Sequence, residues 1–251
     1  MQENANDRRV EPETASGAKR SAVVTSRRRF VLGGTAGAAA WALRLKDGGW
    51  APQPPVETHA PTTPDDALTR LMDGNRRYVS RHLKSCEEDL AAERQATVAK
   101  QEPFAAVLSC ADSRVPVELI FDEGIGRIFV ARVAGNVAAT AVIASLEYSV
   151  AELGTPLIVV MGHSTCGAVK AAIGNEQVPG QISALFSYIR PAIDQAGTDV
   201  NAAVKANARI QARLIRESSP VLAEQVEKKT LRIVPSYYDL ATGAVTLLDV
   251  T

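Results

Sequence analysis

Leu157-Ile-Val-Val-Met161-Gly162-His163-Ser164-Thr165-Cys166 is the stretch on which the fold of this chain turns. Five successive apolar residues, rich in β-branched side chains, describe a strand buried on both faces rather than one alternating between core and water. The run ends on His163 and Cys166, so their chemistry belongs to the carboxyl end of that strand. Upstream, Phe104-Ala-Ala-Val-Leu108 repeats the pattern and delivers Cys110-Ala111-Asp112-Ser113-Arg114, and Arg127-Ile-Phe-Val-Ala-Arg132 reads as a further strand.

Between these runs the pattern changes to a helical period. Thr63 as N-cap, Pro64 in the first turn and Asp65-Asp66 after it start a helix that carries Leu68, Leu71, Met72, Tyr78 and Val79 and ends near His82. A second helix is expected over 87–100, an Ala/Val-rich one over 137–153 with Gly154 at its end, and others over 167–173, 181–195 and 199–218, the middle one interrupted at Pro191. Residues 231–238 and 244–250, joined by Ala241-Thr242-Gly243, read as a closing hairpin. The fold class is therefore α/β: a central mixed, mostly parallel sheet with helices on both faces and an antiparallel edge strand. Ligands of such sheets gather beyond the strand carboxyl ends, where both polar motifs lie.

Composition narrows the function. The 251 residues carry 28 basic and 28 acidic side chains, and the 19 basic against 23 acidic residues in 51–251 leave the body mildly acidic. That balance argues against a nucleic-acid or anionic-membrane partner. The basic excess sits in the first 50 residues. There Ser26-Arg27-Arg28-Arg29-Phe30-Val31-Leu32 precedes the small apolar run from Gly33 to Ala42, a pattern similar to a twin-arginine export signal. Only about 14 residues separate Arg29 from Arg44, short of the roughly 20 that span a bilayer, so no stable membrane span is expected after processing. Residues 1–42 are read as the signal segment with a cleavage site near Ala40-Trp41-Ala42, and 43–62, with Pro52, Pro54, Pro55 and Pro61, as a flexible linker. The catalytic domain is then 63–251, and the location periplasmic or otherwise extracytoplasmic.

Three cysteines in an exported chain invite a disulfide, yet the odd number leaves one over, and Cys110 and Cys166 each stand in a metal-type motif. Two thiolates and the His163 imidazole fill three places of a tetrahedral zinc ion, one per chain; a fourth place left to water or to Asp112 makes the metal catalytic. Cys86 is read as a loop thiol, and His59 and His82 as solvated. Thiolates donate more charge than imidazoles, so such a zinc is a weak Lewis acid and hydroxide formation needs help. Asp112, two residues past Cys110, is placed to accept a hydrogen bond from the zinc-bound water, and Arg114 to hold that carboxylate by a bidentate pair.

Cys110-Ala-Asp112-Ser113-Arg114, Gly135-Asn136 and Gly162-His163-Ser164-Thr165-Cys166-Gly167 together resemble the signature of the β-class carbonic anhydrases, over about Asp65 to Val250. The resemblance implies a zinc enzyme that hydrates CO2 reversibly to bicarbonate and a proton through zinc hydroxide, with a homodimer or a dimer of dimers as its assembly. It implies Gly135 and Gly167 at the substrate, Gln101 hydrogen-bonded to bicarbonate, and Phe129 and Tyr148 lining the pocket across the dimer interface. In some members the aspartate equivalent to Asp112 ligates zinc and shuts the enzyme, which gives Asp112 a second, conditional role as fourth ligand. Another subclass carries a tryptophan where this chain has Val107, so that subclass's non-catalytic bicarbonate site is not expected. Two alternatives share these residues: a hydrolase of carbon disulfide or carbonyl sulfide, and a non-catalytic zinc module in which Asp112 closes the metal permanently.

Overall fold

The computed structural model describes residues 61, 63–85, 89–175 and 177–249. The signal segment, the linker apart from Pro61, His59 and Cys86 lie outside the described residues, and no helix among those described is long and apolar enough to cross a membrane.

The apolar runs become β1 (Ala105–Ser109), β2 (Ile128–Arg132) and β3 (Leu157–His163), and β4 (Arg232–Tyr238) and β5 (Val245–Leu247) follow. Their order is β2-β1-β3-β4-β5, with every pair parallel except β4 and β5. This is the mixed, mostly parallel sheet with an antiparallel edge that the run-and-helix alternation predicts. Strand β3 is buried at every position, which explains why its sequence does not alternate.

Successive side chains nevertheless feed different cores. Ala105, Val107, Leu157, Val159 and Met161 pack toward α1 (Pro64–Ser80) and α3 (Val117–Ile120). Ala106, Leu108, Ile158 and Val160 pack on the other face against α4 (Thr140–Ala151), α7 (Val200–Ser218) and α8 (Pro220–Glu227). Each fully buried Leu, Ile or Val contributes about 1.5–3 kcal/mol, so the two cores together hold the sheet ends in place. Completing the set are α2 (Leu90–Ala96), α5 (Gly167–Gly174) and α6 (Phe186–Ala196). Thr63 caps α1 as its sequence predicts, its Oγ1 accepting the Asp66 N–H at 3.2 Å.

Helix α7 reaches the carboxyl end of β3 because Gly162 leaves room for it. A Cβ there would lie 2.7 Å from Val204 Cγ1 and 3.2 Å from the Val204 carbonyl oxygen. No other residue fits without moving the helix.

Several boundaries differ from the sequence expectation. Helix α2 is shorter than 87–100, beginning where Asp89 accepts the Ala91 and Ala92 N–H groups. The Ala/Val-rich helix starts at Thr140 rather than Val137, because Val137 and Ala139 are extended, and the Ala138 N–H between them goes to Gln211 Oε1 at 2.8 Å. Pro191 does not interrupt α6: it is exposed and forgoes one ladder bond, while Ile189, Ala192 and Ile193 anchor the helix on the core. Helix α3 and helix α8 were not predicted, although Ser219-Pro220 repeats the cap signal of Thr63-Pro64.

Candidate metal centre

Three neighbouring carboxyl ends of secondary structure or their successors carry the polar motifs. Cys110 follows β1, His163 closes β3, and Cys166 is the residue before α5. Their ligand atoms all lie within 4.8 Å of one another, with the two sulfurs 4.0 Å apart, and all three residues are buried. Sequence distances of 53 and 56 residues from Cys110 to the other two close because β1 and β3 are parallel neighbours in register.

The imidazole is oriented for a ligand. Its Nδ1 lies 3.0 Å from the Ser164 carbonyl oxygen, which can only accept, so Nδ1 carries the proton. That leaves Nε2 as a bare lone pair, buried and with no hydrogen-bond partner. An orphaned buried acceptor costs about 1–3 kcal/mol, and a cation between Nε2 and the two sulfurs removes that cost. The donor set, two soft thiols and one imidazole, fits a divalent transition ion well. The Cys166 hydrogen bond holds the Cys110 thiol below the usual thiol range, assisted by His163 and the Gly135 N–H, while that same hydrogen bond, together with burial, pushes the Cys166 thiol up.

Asp112 and Arg114 form the fork the spacing predicts. Arg114 Nε donates to Asp112 Oδ1 at 2.9 Å and Nη2 to Oδ2 at 2.7 Å, while the Arg114 backbone N–H adds a bond to Oδ1 at 2.9 Å. Oδ2 is also 3.8 Å from His163 Nε2, so the carboxylate borders the ligand cluster without replacing a member of it. The Arg114 guanidinium beside Asp112 holds its carboxyl well below the usual carboxylate range. Asp112 is therefore an anion throughout neutral and alkaline pH.

Gln101, Phe129 and Tyr148 stand elsewhere. Gln101 and Tyr148 line one open groove with Thr97 and Leu153, and the Phe129 and Tyr148 rings sit 6.4 Å apart. Among the described residues, no hydrogen bond joins these three to Cys110, His163 or Cys166. Gly167 opens α5 with free space where a side chain would be, whereas Gly135 is enclosed. At Gly135 φ is +75°, and a Cβ would meet Ile189 Cδ1 at 2.9 Å. Its N–H points at Cys110 Sγ, 3.3 Å away.

Sequence reasoning missed two supports. Arg132, at the end of β2, donates through Nε to the Cys110 carbonyl oxygen at 3.0 Å and through Nη2 to that of Asp112 at 2.6 Å, tying down the loop that carries both. Thr165, between His163 and Cys166, has φ +54°, uncommon for a β-branched residue, and its N–H donates to Asn201 Oδ1 at 3.1 Å. An arginine closing a strand was the only available signal for the first; nothing in the sequence marked the second.

A family model described as "Carbonic anhydrase" matches residues 105–245. The chain is 34% identical over 202 residues to "Carbonic anhydrase 2" of Mycobacterium tuberculosis, spanning 75% of this chain and 94% of that protein. It is 38% identical over 197 residues to "Carbonic anhydrase" of Mycolicibacterium smegmatis, with 74% and 94% covered. Among solved structures it is similar to the Coccomyxa β-carbonic anhydrase in complex with acetazolamide, with TM-score 0.57 and 26% identity over 72% of this chain and 86% of the other.

Proposed function

Because the chain belongs to the carbonic anhydrase family, in its β class, and interconverts CO2 and bicarbonate, we propose that its metal is zinc, one ion per chain, held by Cys110, His163 and Cys166. The observation that carries this reading is the convergence of two buried thiols on an unpartnered His163 Nε2. Zinc bound there supplies a Lewis acid that makes water nucleophilic near neutral pH.

The chain's own residues do the rest. Asp112 Oδ2, on the border of the cluster, accepts the O–H of the attacking water and so turns its lone pair toward CO2. Arg114 keeps both carboxylate oxygens engaged, which holds Asp112 ionised and off the metal. The proton given up leaves through water or buffer; besides His163 the described residues hold one histidine, His82, exposed just after α1. Gly135 and Gly167 form walls that bring main chain rather than side chain close to the substrate.

Gln101, Phe129 and Tyr148 enter through a second copy of the chain. Helix α2 has no buried residue, Leu90 and Val98 are exposed, and Tyr148 on α4 is half exposed, so among the described residues the face carrying Gln101 and Tyr148 lacks a cover. In a homodimer, or a dimer of dimers, that face supplies the apolar wall and the Gln101 donor for bicarbonate opposite the metal of the other copy.

The test is stopped-flow CO2 hydration with metal analysis on the same samples. One zinc per chain, loss of activity on chelation and its return with zinc are expected. Full activity in metal-free protein would overturn the reading, and turnover of carbonyl sulfide or carbon disulfide without CO2 hydration would replace the substrate.

Residues 1–42 are proposed as a twin-arginine export signal, 43–62 as a linker and 63–251 as the catalytic domain, located outside the cytoplasm. Twin arginines are read by a receptor rather than as bulk charge. Replacing Arg27, Arg28 and Arg29 together by lysine should therefore retain active enzyme in the cytoplasmic fraction. Undiminished export of that triple variant counts against the signal.

A further inference from the structure

We infer that Asn207 and Gln211, two buried amides one turn apart on α7, are positioning residues that hold the Gly135 N–H on the Cys110 sulfur and thereby set how much charge that thiolate gives to the metal. This inference rests on the proposed metal site.

Neither amide has any exposure, and both are held in one connected hydrogen-bond network. The Ala138 N–H can only donate, so Gln211 Oε1 accepts it, at 2.8 Å. Gln211 Nε2 then donates to the Tyr188 carbonyl oxygen at 3.0 Å and to Asn207 Oδ1 at 3.1 Å. That leaves Asn207 Nδ2 to donate to the Gly135 carbonyl oxygen at 2.9 Å. Each assignment forces the next, so the orientation of both amides is fixed by the network itself.

What the network grips is a segment that would not keep its shape alone. Gly135 and Asn136 both have positive φ, +75° and +45°, and backbone strain of this kind persists where surrounding contacts over-determine it. The two amides clamp both ends, the Gly135 carbonyl and the Ala138 N–H. The Gly135 N–H belongs to the same residue as the held carbonyl, and it meets Cys110 Sγ at 3.3 Å. A donor on a thiolate draws electron density from it, and that same sulfur faces the metal.

Asn207→Leu and Gln211→Met keep shape and remove the bonds. With cobalt in place of zinc, the thiolate-to-metal charge-transfer band should move to longer wavelength in both variants, because a sulfur without its N–H donor is easier to oxidise. Metal affinity by chelator competition should fall about 10–100-fold, the usual cost of losing an outer support. In the zinc enzymes the midpoint of the kcat–pH profile should rise while KM holds. Ile215→Val loosens the same buried helix without removing any of these hydrogen bonds, and its band should not move. An unshifted band and unshifted midpoint in folded Asn207→Leu overturn the inference. Should that variant fail to fold, the wild-type protein loaded with cadmium-113 decides: a scalar coupling between the metal and the Gly135 amide proton is expected, and its absence overturns the inference. A wild-type protein with no charge-transfer band at all overturns the metal site, a result distinguishable from a band that is present and unmoved.

Discussion

Cys166→Ala is expected to purify without stoichiometric zinc and to hydrate CO2 no faster than the uncatalysed reaction. Structural zinc sites are bound with about 10–16 kcal/mol, so one ligand among four accounts for about 3 kcal/mol, or about two orders of magnitude in affinity. The remaining Cys110 and His163 cannot compensate, because no other sulfur, imidazole or carboxylate joins the cluster among the described residues except Asp112, which Arg114 occupies. The effect should be on the metal rather than on the fold. Cys166 lies at the start of α5, and its Ala replacement deletes a single buried atom in a core otherwise built by Val169, Ile189 and Val204. Thermal unfolding of the metal-free wild type and of the variant should therefore nearly coincide, while zinc shifts only the wild type upward. One zinc retained per chain in Cys166→Ala, measured after dialysis, would sink the ligand assignment. Cys86→Ser serves as the comparison and should leave zinc content and rate unchanged.

The strands were legible because burial on both faces writes itself as an unbroken apolar run, and Leu157–Met161 could be little else. Their carboxyl ends were legible for the same reason, and with them the place of Cys110, His163 and Cys166. The edges of the helices were harder. Val137, Ala138 and Ala139 have helix-compatible side chains, yet Val137 and Ala139 are extended and the Ala138 N–H between them is held by Gln211, a tertiary bond between residues 73 apart. Pro191 misled in the opposite direction, since packing of Ile189 and Ile193 outweighs one missing bond. Arg132, Asn201, Asn207 and Gln211 escaped notice because each acts on main-chain atoms of distant loops, and such bonds leave no periodic trace. Gln101, Phe129 and Tyr148 were named by resemblance alone, and within the single chain no hydrogen bond among the described residues links them to the ligand cluster.

Arg114→Ala is expected to lower the rate of CO2 hydration about 10–100-fold while zinc stays bound, as loss of an outer support commonly does. The two side-chain bonds of Arg114 go to different carboxylate oxygens, whereas its backbone N–H, which alanine retains, reaches only Oδ1. The variant thus keeps Oδ1 tethered and frees Oδ2, the oxygen already 3.8 Å from the His163 Nε2 ligand atom. Freed there, Oδ2 would be able to take a place on a metal held by Cys110, His163 and Cys166 that the attacking water needs. Protonation of Asp112 is not the cause. Without Arg114 its pKa rises from its depressed value toward an ordinary value near about 3.9, still an anion at neutral pH. For the same reason, a wild-type rate that climbs between pH 7 and pH 9 reports ionisation of the attacking water and not of the carboxylate. In Arg114→Ala the climb should be steeper, because an untethered Oδ2 would compete with the attacking water. Asp112→Asn should be slow without that steepening, since its amide donates where the carboxylate accepts and is a poor ligand. Arg114→Lys should fall between, a point charge being unable to hold both oxygens as the planar fork does. Stopped-flow profiles over this interval, with zinc quantified in each sample, separate the cases. An Arg114→Ala enzyme as fast as the wild type at pH 7 would leave Asp112 free of any need to be held, and the orienting role proposed for it would fall.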